Sequence, residues 1–517
     1  MMVGFTGTSL PVEVEDFIER NNIGFVILFS RNLETPAQAA ELTNSIHSLA
    51  KAMPCLWLDQ EGGTVVQFKE LAATAVSPMG LAAGGGPQNA RRAAKIIGRE
   101  MNACGIDGVF SPVLDVNVEP SNPIIGIRAF ADEPGTVIDF AGAFFAGLNE
   151  GGLAACGKHF PGHGGTTEDS HLAVPQVNIS AEYFFHYCYQ PFAALAKLKI
   201  DAMMTGHVRF PQMSDSIATF SAELVEGLLR KKTGFDGVVF SDCLEMRAIK
   251  DHYSPGEIAQ NVIKAGIDVL SLSHSLDFQK EILERLVHLV SKGIISEKRI
   301  DQSLGRILKL KSTFQPLAKR KKRSPQKAGE IARSHIQAEQ EIADAAVTLL
   351  RNRLRIIPIR KNDRVLVLEW QKVKATMLLP EAEESAYLTE TARKYFSRVD
   401  VEVLKLDGRI PADLKKRLKY YSHIICGLYS RAPEVEKIQA KALNEILRSR
   451  RDVIAVALGN PYDIRHFPAI DTYIVTYGFR KVQIEALFKV LSGRIKPTGR
   501  LPVEIKNLFP RHFGLPS

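Results

Sequence analysis

The stretch "GVVFSDCL" (residues 237–244) decides how the first half of this chain is read. Val238, Val239 and Phe240 form an unbroken apolar run, and Ser241, Asp242 and Cys243 follow at once. An apolar run of this kind suits a strand covered on both faces, as in a parallel sheet. Seven similar runs precede or follow it: "MMVGF" (1–5), "IGFVILF" (23–29), "CLWLDQ" (55–60), "GVFSPVLDV" (108–116), "LAACGKHF" (153–160), "DAMMTGHV" (201–208) and "IDVLSLS" (267–273). Amphipathic segments such as "PAQAAELTNSIHSLAKA" and "AELVEGLLRKKTG" separate them. Eight alternating strand and helix units predict a (β/α)8 barrel. Reactive residues collect at the C-terminal ends of the runs: Asp59 and Glu61, Asp115, Lys158 and His159, His207, and Asp242. A barrel builds its active site from those ends, whereas an open doubly wound sheet would use two or three strands.

Working outward, "FQKEILERLVHLVSKG" and "RIDQSLGRILKLKSTF" continue in helical period to about residue 315. The basic, proline-containing run "KRKKRSPQK" (319–327) reads as a solvated linker. "EIARSHIQAEQEIADAAVTLL" (330–350) reads as one long helix. Five strand-like runs follow, at 363–370, 399–406, 422–429, 452–459 and 471–478, with helices between them. They predict a layered α/β domain with a mostly parallel sheet, too small for a second barrel. The expected organisation is a catalytic barrel over 1–315, a basic linker and connecting helix over 316–340, and an α/β sandwich over 341–517. No tandem repeat is evident beyond the alternation of strands and helices.

The chain of 517 residues exceeds one ordinary core, which agrees with two domains. Its net charge of +9 comes in large part from the 319–327 run, so the total does not signal nucleic-acid binding. Six cysteines form no C-x-x-C pair, which suggests free thiols and a reducing compartment. No run approaches the ~18 apolar residues of a membrane span, and the first residues lack a signal-like pattern. A cytoplasmic protein is expected.

The stretch "GKHFPGHGGTTEDSHLAVP" (157–175) gathers titratable groups among glycines and prolines, which disfavour helix and strand. Lys158 and His159 end a strand and suit the hydroxyls of a substrate. Asp169 and His171 stand one residue apart. A carboxylate bonded to an imidazole fixes its tautomer and raises its basicity, as a general acid/base requires. His159, His163, His171 and Asp169 are also zinc-ligand types. Their spacing matches no strong zinc signature, and His163 reads as a turn residue. Neither metal nor cofactor is expected. Asp242, at a strand end, is either a cap or a nucleophilic carboxylate. Asp59 and Glu61 are suited to grip vicinal hydroxyls, with Glu61 alternatively a structural partner. Arg128, in "GIRAFADEP", can donate several bonds or simply form an ion pair.

Taken together, "LDQEGG", "FSPVLDV", "GIRAF", "GKHFPGHG", "EDSHLAVP", "DAMMTGH" and "GFDGVVFSDCLEM" resemble glycoside hydrolase family 3, in its β-N-acetylglucosaminidase branch. "GNPYDI" and "YGFRKVQIEALFKVLSGRIKPTGRLPVEI" extend the resemblance to the second half. The resemblance implies a (β/α)8 barrel followed by an α/β sandwich, and retaining hydrolysis of terminal β-linked N-acetylglucosamine. It implies Asp242 as nucleophile and His171, paired with Asp169, as acid/base. Asp59, Arg128, Lys158 and His159 would bind the sugar, and cell-wall muropeptides are its expected source. The catalytic motifs all fall on the barrel, so an isolated barrel is expected to keep some activity. Two positions depart from the family pattern. Gln67 stands where an arginine usually contacts the sugar. Cys243 replaces an aspartate beside the nucleophile, which should ease ionisation of Asp242. Alternatives within the family are a β-glucosidase or β-xylosidase, taking its acid from Glu434 or Glu436, and a phosphorylase. A non-catalytic sugar-binding protein is the alternative outside enzymes.

Overall fold

The computed structural model describes residues 1–49, 53–68, 76–166, 174–315, 322–371, 386–429 and 433–515. Each of the eight apolar runs of the first half forms a strand. These are β1 (Met2–Val3), β2 (Phe25–Ile27), β3 (Cys55–Leu58), β4 (Gly108–Val109), β5 (Ala154–Phe160), β6 (Ala202–Thr205), β7 (Val238–Ser241) and β8 (Ser271–Leu272). All pair in parallel, in the order β8-β1-β2-β3-β4-β5-β6-β7. A parallel bridge between Phe240 and Val269 joins the two ends of the row, so the sheet closes into the expected barrel.

The barrel interior is a packed core and not a pore. The Trp57 ring lies 5.1 Å from Phe110 and 5.0 Å from Phe240, and Phe25 lies 5.4 Å from Phe240. Leu310, on the helix Glu297–Phe314, belongs to the same apolar cluster, with Ile307 and Phe314 packed against it.

Below this core a short recurrence appears. An Ile-Asp pair stands at or just before the start of β4, β6 and β8, at 106–107, 200–201 and 267–268. Each aspartate accepts a hydrogen bond from the second backbone N–H of the strand before it. Asp107 takes Leu56 N at 2.8 Å, Asp201 takes Ala155 N at 2.9 Å, and Asp268 takes Val239 N at 2.9 Å. The three carboxylates thus tie successive strands together at the end of the barrel opposite the reactive residues.

The second half holds a six-stranded sheet: β9 (Thr348–Asn352), β10 (Arg364–Trp370), β11 (Arg398–Leu404), β12 (His423–Leu428), β13 (Val453–Ala457) and β14 (Thr472–Val475). The order is β9-β14-β13-β12-β10-β11, parallel throughout except that β9 runs antiparallel to β14. The five expected runs account for β10 to β14.

One expectation about the junction needs correction. The stretch 330–350 is not one helix. Helices Pro325–Ser334 and Ile336–Ala346 are separated at His335, and residues from Thr348 onward leave the helix to become β9. The strand exists because β14 offers it a hydrogen-bonding edge, which local helix propensity cannot reveal. The described part of the basic run, 322–327, is mostly solvent-exposed and is anchored at one residue. Asn44 holds Arg323 at both backbone groups, donating to its carbonyl at 2.9 Å and accepting from its N–H at 2.8 Å. Ala328, Ala332 and Glu339 beyond it are buried. Among the described residues, no helix is long and apolar enough to cross a membrane.

Candidate active site

The strand ends on one side of the barrel converge on a buried charge network. Asp59 follows the last residue of β3, and a small hairpin, Gln60–Gly62 with Val65–Val66, carries Glu61 next to it. Lys158 and His159 lie within β5. The Lys158 ammonium sits 2.5 Å from Asp59 and 2.6 Å from Glu61. Arg128 completes the far side of Glu61 with a bidentate pair, Nε to Oε2 at 2.9 Å and a terminal nitrogen to Oε1 at 2.8 Å. Bidentate pairing of this kind fixes direction as well as charge. The same guanidinium donates to the Ile124 carbonyl at 3.1 Å and lies 3.3 Å from His159 Nε2.

Within this network the two acids differ. The Glu61 side chain is fully buried, whereas that of Asp59 is 21% exposed. Burial alone would raise the pKa of Glu61. The cations of Arg128 and Lys158 more than reverse that and hold it at about 2. Burial would lower the pKa of Lys158, and Asp59 and Glu61 raise it instead. Both groups therefore stay charged at neutral pH. Glu61 has no lone pair left facing solvent, so its place is structural, the second of its two sequence readings. Asp59 is the carboxylate with an open side.

A third carboxylate, Asp115, orients the histidine. Its Oδ2 lies 2.7 Å from His159 Nδ1, and its Oδ1 accepts from the His163 backbone N–H at 2.6 Å. This contact places the His159 ring between Asp115 and Arg128. The sequence placed Asp115 among the reactive strand ends and assigned it no task, because its partner lies 44 residues away. His163 proves to be a buried turn residue. Burial, then the neighbouring His159, lower its pKa to about 4, and its Nδ1 lies 2.9 Å from Thr166 Oγ1.

Asp242 follows β7, as read from the sequence. Its backbone N–H donates to the Thr205 carbonyl at 3.0 Å, and its Oδ1 accepts from Cys243 N at 2.7 Å. His207, fully buried, places Nε2 3.0 Å from the Cys243 carbonyl and so braces the turn behind Asp242. Burial, then Glu245, push the Cys243 thiol up to about 12, so it adds no charge beside Asp242 at neutral pH. Gln67 is engaged with the scaffold. Its Oε1 accepts from Ser30 N at 3.0 Å, and its own N–H donates to the Asp59 carbonyl at 3.2 Å. The structure thus brings Asp59, Arg128, Lys158 and His159 together in one network, with Asp242 at the end of a strand two places from β5. Asp169 and His171 lie outside the described residues. Among the described residues no cluster of three or more His, Cys, Asp or Glu side chains is arranged to hold a metal ion.

A closed parallel barrel with acids, cations and a carboxylate-bonded histidine gathered at its strand ends has the architecture of a barrel enzyme. The glycosyl hydrolase family 3 N-terminal domain matches residues 4–310, and the chain belongs to that family of glycoside hydrolases. It is 26% identical to beta-hexosaminidase A of Pseudoalteromonas piscicida, over 97% of this chain and 92% of that protein. The structure of a family 3 beta-N-acetylglucosaminidase from Paenibacillus sp. str. FPU-7 superposes with a TM-score of 0.85 at 33% identity, covering 98% of this chain and 97% of that one. A fungal multi-domain family 3 beta-N-acetylglucosaminidase superposes with a TM-score of 0.92 at 30% identity. There the match covers 99% of this chain and 60% of the fungal one.

Proposed function

We propose that this protein is a retaining exo-β-N-acetylglucosaminidase. The observation that carries the reading is the Asp59–Lys158–Glu61–Arg128 network. It presents one open carboxylate, backed by a buried cation, beside a histidine fixed by Asp115. Such a set suits a neutral polyol, which needs acceptors and donors held in fixed directions. In this reading Asp59, Arg128, Lys158 and His159 bind the terminal sugar. Asp242 attacks the anomeric carbon to give a glycosyl-enzyme, while His171 protonates the departing oxygen. His171, now neutral, then takes a proton from water, and that water displaces Asp242 with net retention. Asp169 holds the imidazole in the tautomer this exchange requires.

The names and similarities of the relatives support N-acetylglucosamine as the sugar. The alternative acid Glu436 has a partner in the second domain. It lies 3.4 Å from His466 and is 12% exposed. The side chain of Glu434 is outside the described residues. Muropeptides of the cell wall are the natural substrates in this reading, and the compartment is cytoplasmic. All six cysteines are free, as a reducing compartment favours.

Turnover of 4-nitrophenyl β-glycosides of N-acetylglucosamine, glucose and xylose, with and without phosphate, tests the proposal. Hydrolysis of the first, independent of phosphate, is expected. Preference for glucose or xylose, or a rate that requires phosphate, would overturn it in favour of another member of the family. Binding of N-acetylglucosamine without turnover would point to a sugar-binding protein. Asp242→Ala should abolish turnover and leave the fold intact. If the variant keeps more than a few per cent of the activity, the nucleophile lies elsewhere.

A further inference from the structure

The motifs of the second half, "GNPYDI" (459–464) and the start of "YGFRKVQ" (477–483), play no part in the chemistry proposed above. Both nevertheless face the barrel. Tyr462, 2% exposed, accepts a hydrogen bond at its hydroxyl from Asn117 Nδ2 at 3.1 Å. Asn117 is two residues beyond Asp115, which orients His159. Asn460 packs on Gly126, which has φ +46, so closely that a Cβ there would come within 2.8 Å of Asn460 Oδ1. Asp132 accepts from the Glu504 backbone N–H at 2.9 Å and pairs with Arg511 at 2.6 Å. The second domain therefore grips the barrel segment 117–132 at three points, and Arg128 lies inside that span.

The other side of the same ion pair is gripped as well. Arg480 Nε donates to the Gly63 carbonyl at 3.1 Å, two residues from Glu61. Gly63, at φ +62, packs on Ser77, where a Cβ would meet the Ser77 Cβ at 2.5 Å. Ser77 in turn donates to the Tyr477 carbonyl at 2.7 Å. Tyr477 is fully buried and donates to Thr348 in β9 at 3.0 Å. The second domain thus reaches both backbone segments that meet in the Arg128–Glu61 pair.

We propose that Arg480 and Tyr462 are positioning residues for the sugar-binding network. The second domain sets the spacing between the 60–63 turn and the 117–132 segment, and through them the direction of Arg128 and His159. No atom of Arg480 or Tyr462 takes part in bond making. Their effect is to keep the barrel mouth at the separation at which Arg128 closes on Glu61 and leaves Asp59 open. A shift of an ångström in such a frame is enough to weaken ground-state binding. The kinetic consequences rest on the proposed function; the structural ones do not.

Two measurements on the full chain decide this. In the first, Arg480→Ala, Arg480→Lys and Tyr462→Phe are assayed on the aryl glycoside that the wild type hydrolyses. Arg480→Ala and Tyr462→Phe should raise KM about tenfold with kcat changed less than about twofold, as loss of one positioned hydrogen bond predicts. Arg480→Lys retains a donor and should recover part of the loss. In the second, hydrogen exchange of the backbone amides is followed with no substrate present. The variants should speed exchange at residues 60–64 and 117–130 and leave β6 and β7 unchanged. If kcat instead falls in step with the fraction of folded protein while KM stays unchanged, the role is only structural and the proposal fails. Unchanged exchange at both barrel segments also overturns it. A wild type inactive on every glycoside would refute the proposed function, and exchange alone would then decide the positioning role.

Discussion

Replacing Glu61 by glutamine keeps the size of the side chain and removes the charge between Arg128 and Lys158. Both cations stay buried, and Lys158 alone keeps an acidic partner in Asp59. Breaking a buried pair in this way costs about 3–5 kcal/mol. Glu61→Gln should therefore lower the free energy of unfolding in urea by about that amount at pH 7. The sign of the pH dependence follows from the direction of the shift. The folded pKa is about 2, below the ordinary value of 4.5. The contribution of Glu61 is present above pH 4.5 and is lost as pH falls towards 2, a loss of roughly 3 kcal/mol. Through that window the wild type should lose more stability than the glutamine variant, by about that difference. At the proposed acid/base, His171→Ala should slow a natural disaccharide far more than an aryl glycoside with a good leaving group. The proton matters only when the departing oxygen needs it. Parallel measurement of both substrates checks this, and equal losses would remove His171 from that role.

At the scale of strands, the three Ile-Asp pairs share one backbone contact and differ in what else surrounds the carboxylate. Asp268 has Arg230 at 2.5 Å and Arg306 at 3.2 Å. Asp107 has His47 at 3.0 Å and Gln315 at 2.7 Å. Asp201 accepts from the Asn149 amide and the Ala155 N–H and has no cation partner among the described residues, and burial pushes its pKa up to about 6. A raised folded pKa means that its contribution is complete below about pH 4 and is lost as pH rises through 6. Asp201→Asn removes that ionisation. Relative to wild type, the variant should gain roughly 3 kcal/mol between pH 4 and pH 7.5 in urea titrations. A constant difference across that range would show that Asp201 does not titrate with folding. The eight barrel strands were readable because each is an apolar run that ends in polar residues. β9 was not, because Ala345, Ala346 and Val347 carry the helical pattern onward and the pairing edge lies more than a hundred residues later. The grip of Asp115 on His159 was hidden for the same reason. Asp59, Lys158 and Asp242 needed only their places at strand ends.

For the molecule as a whole, removing everything after residue 315 would leave the catalytic motifs on one barrel. It would also free Gly63, Asn117 and Asp132 from their partners and bare Met79, Ala83 and Ile127, which pack in an apolar cluster with Tyr477 and Leu350. A barrel over 1–315 is expected to keep measurable turnover at a raised KM. A KM equal to that of the full chain would show that the second half is dispensable to binding. The helices Pro325–Ser334 and Ile336–Ala346 have a further consequence. Their buried residues Ala328, Ala332, Ile342 and Ala343 join one continuous apolar cluster that runs from the barrel helices to Val365 and Phe488 in the second domain. Heat absorbed anywhere in this protein is therefore shared by both halves. A calorimetric scan should show one peak, with the two halves melting together, where a flexible tether would have produced two.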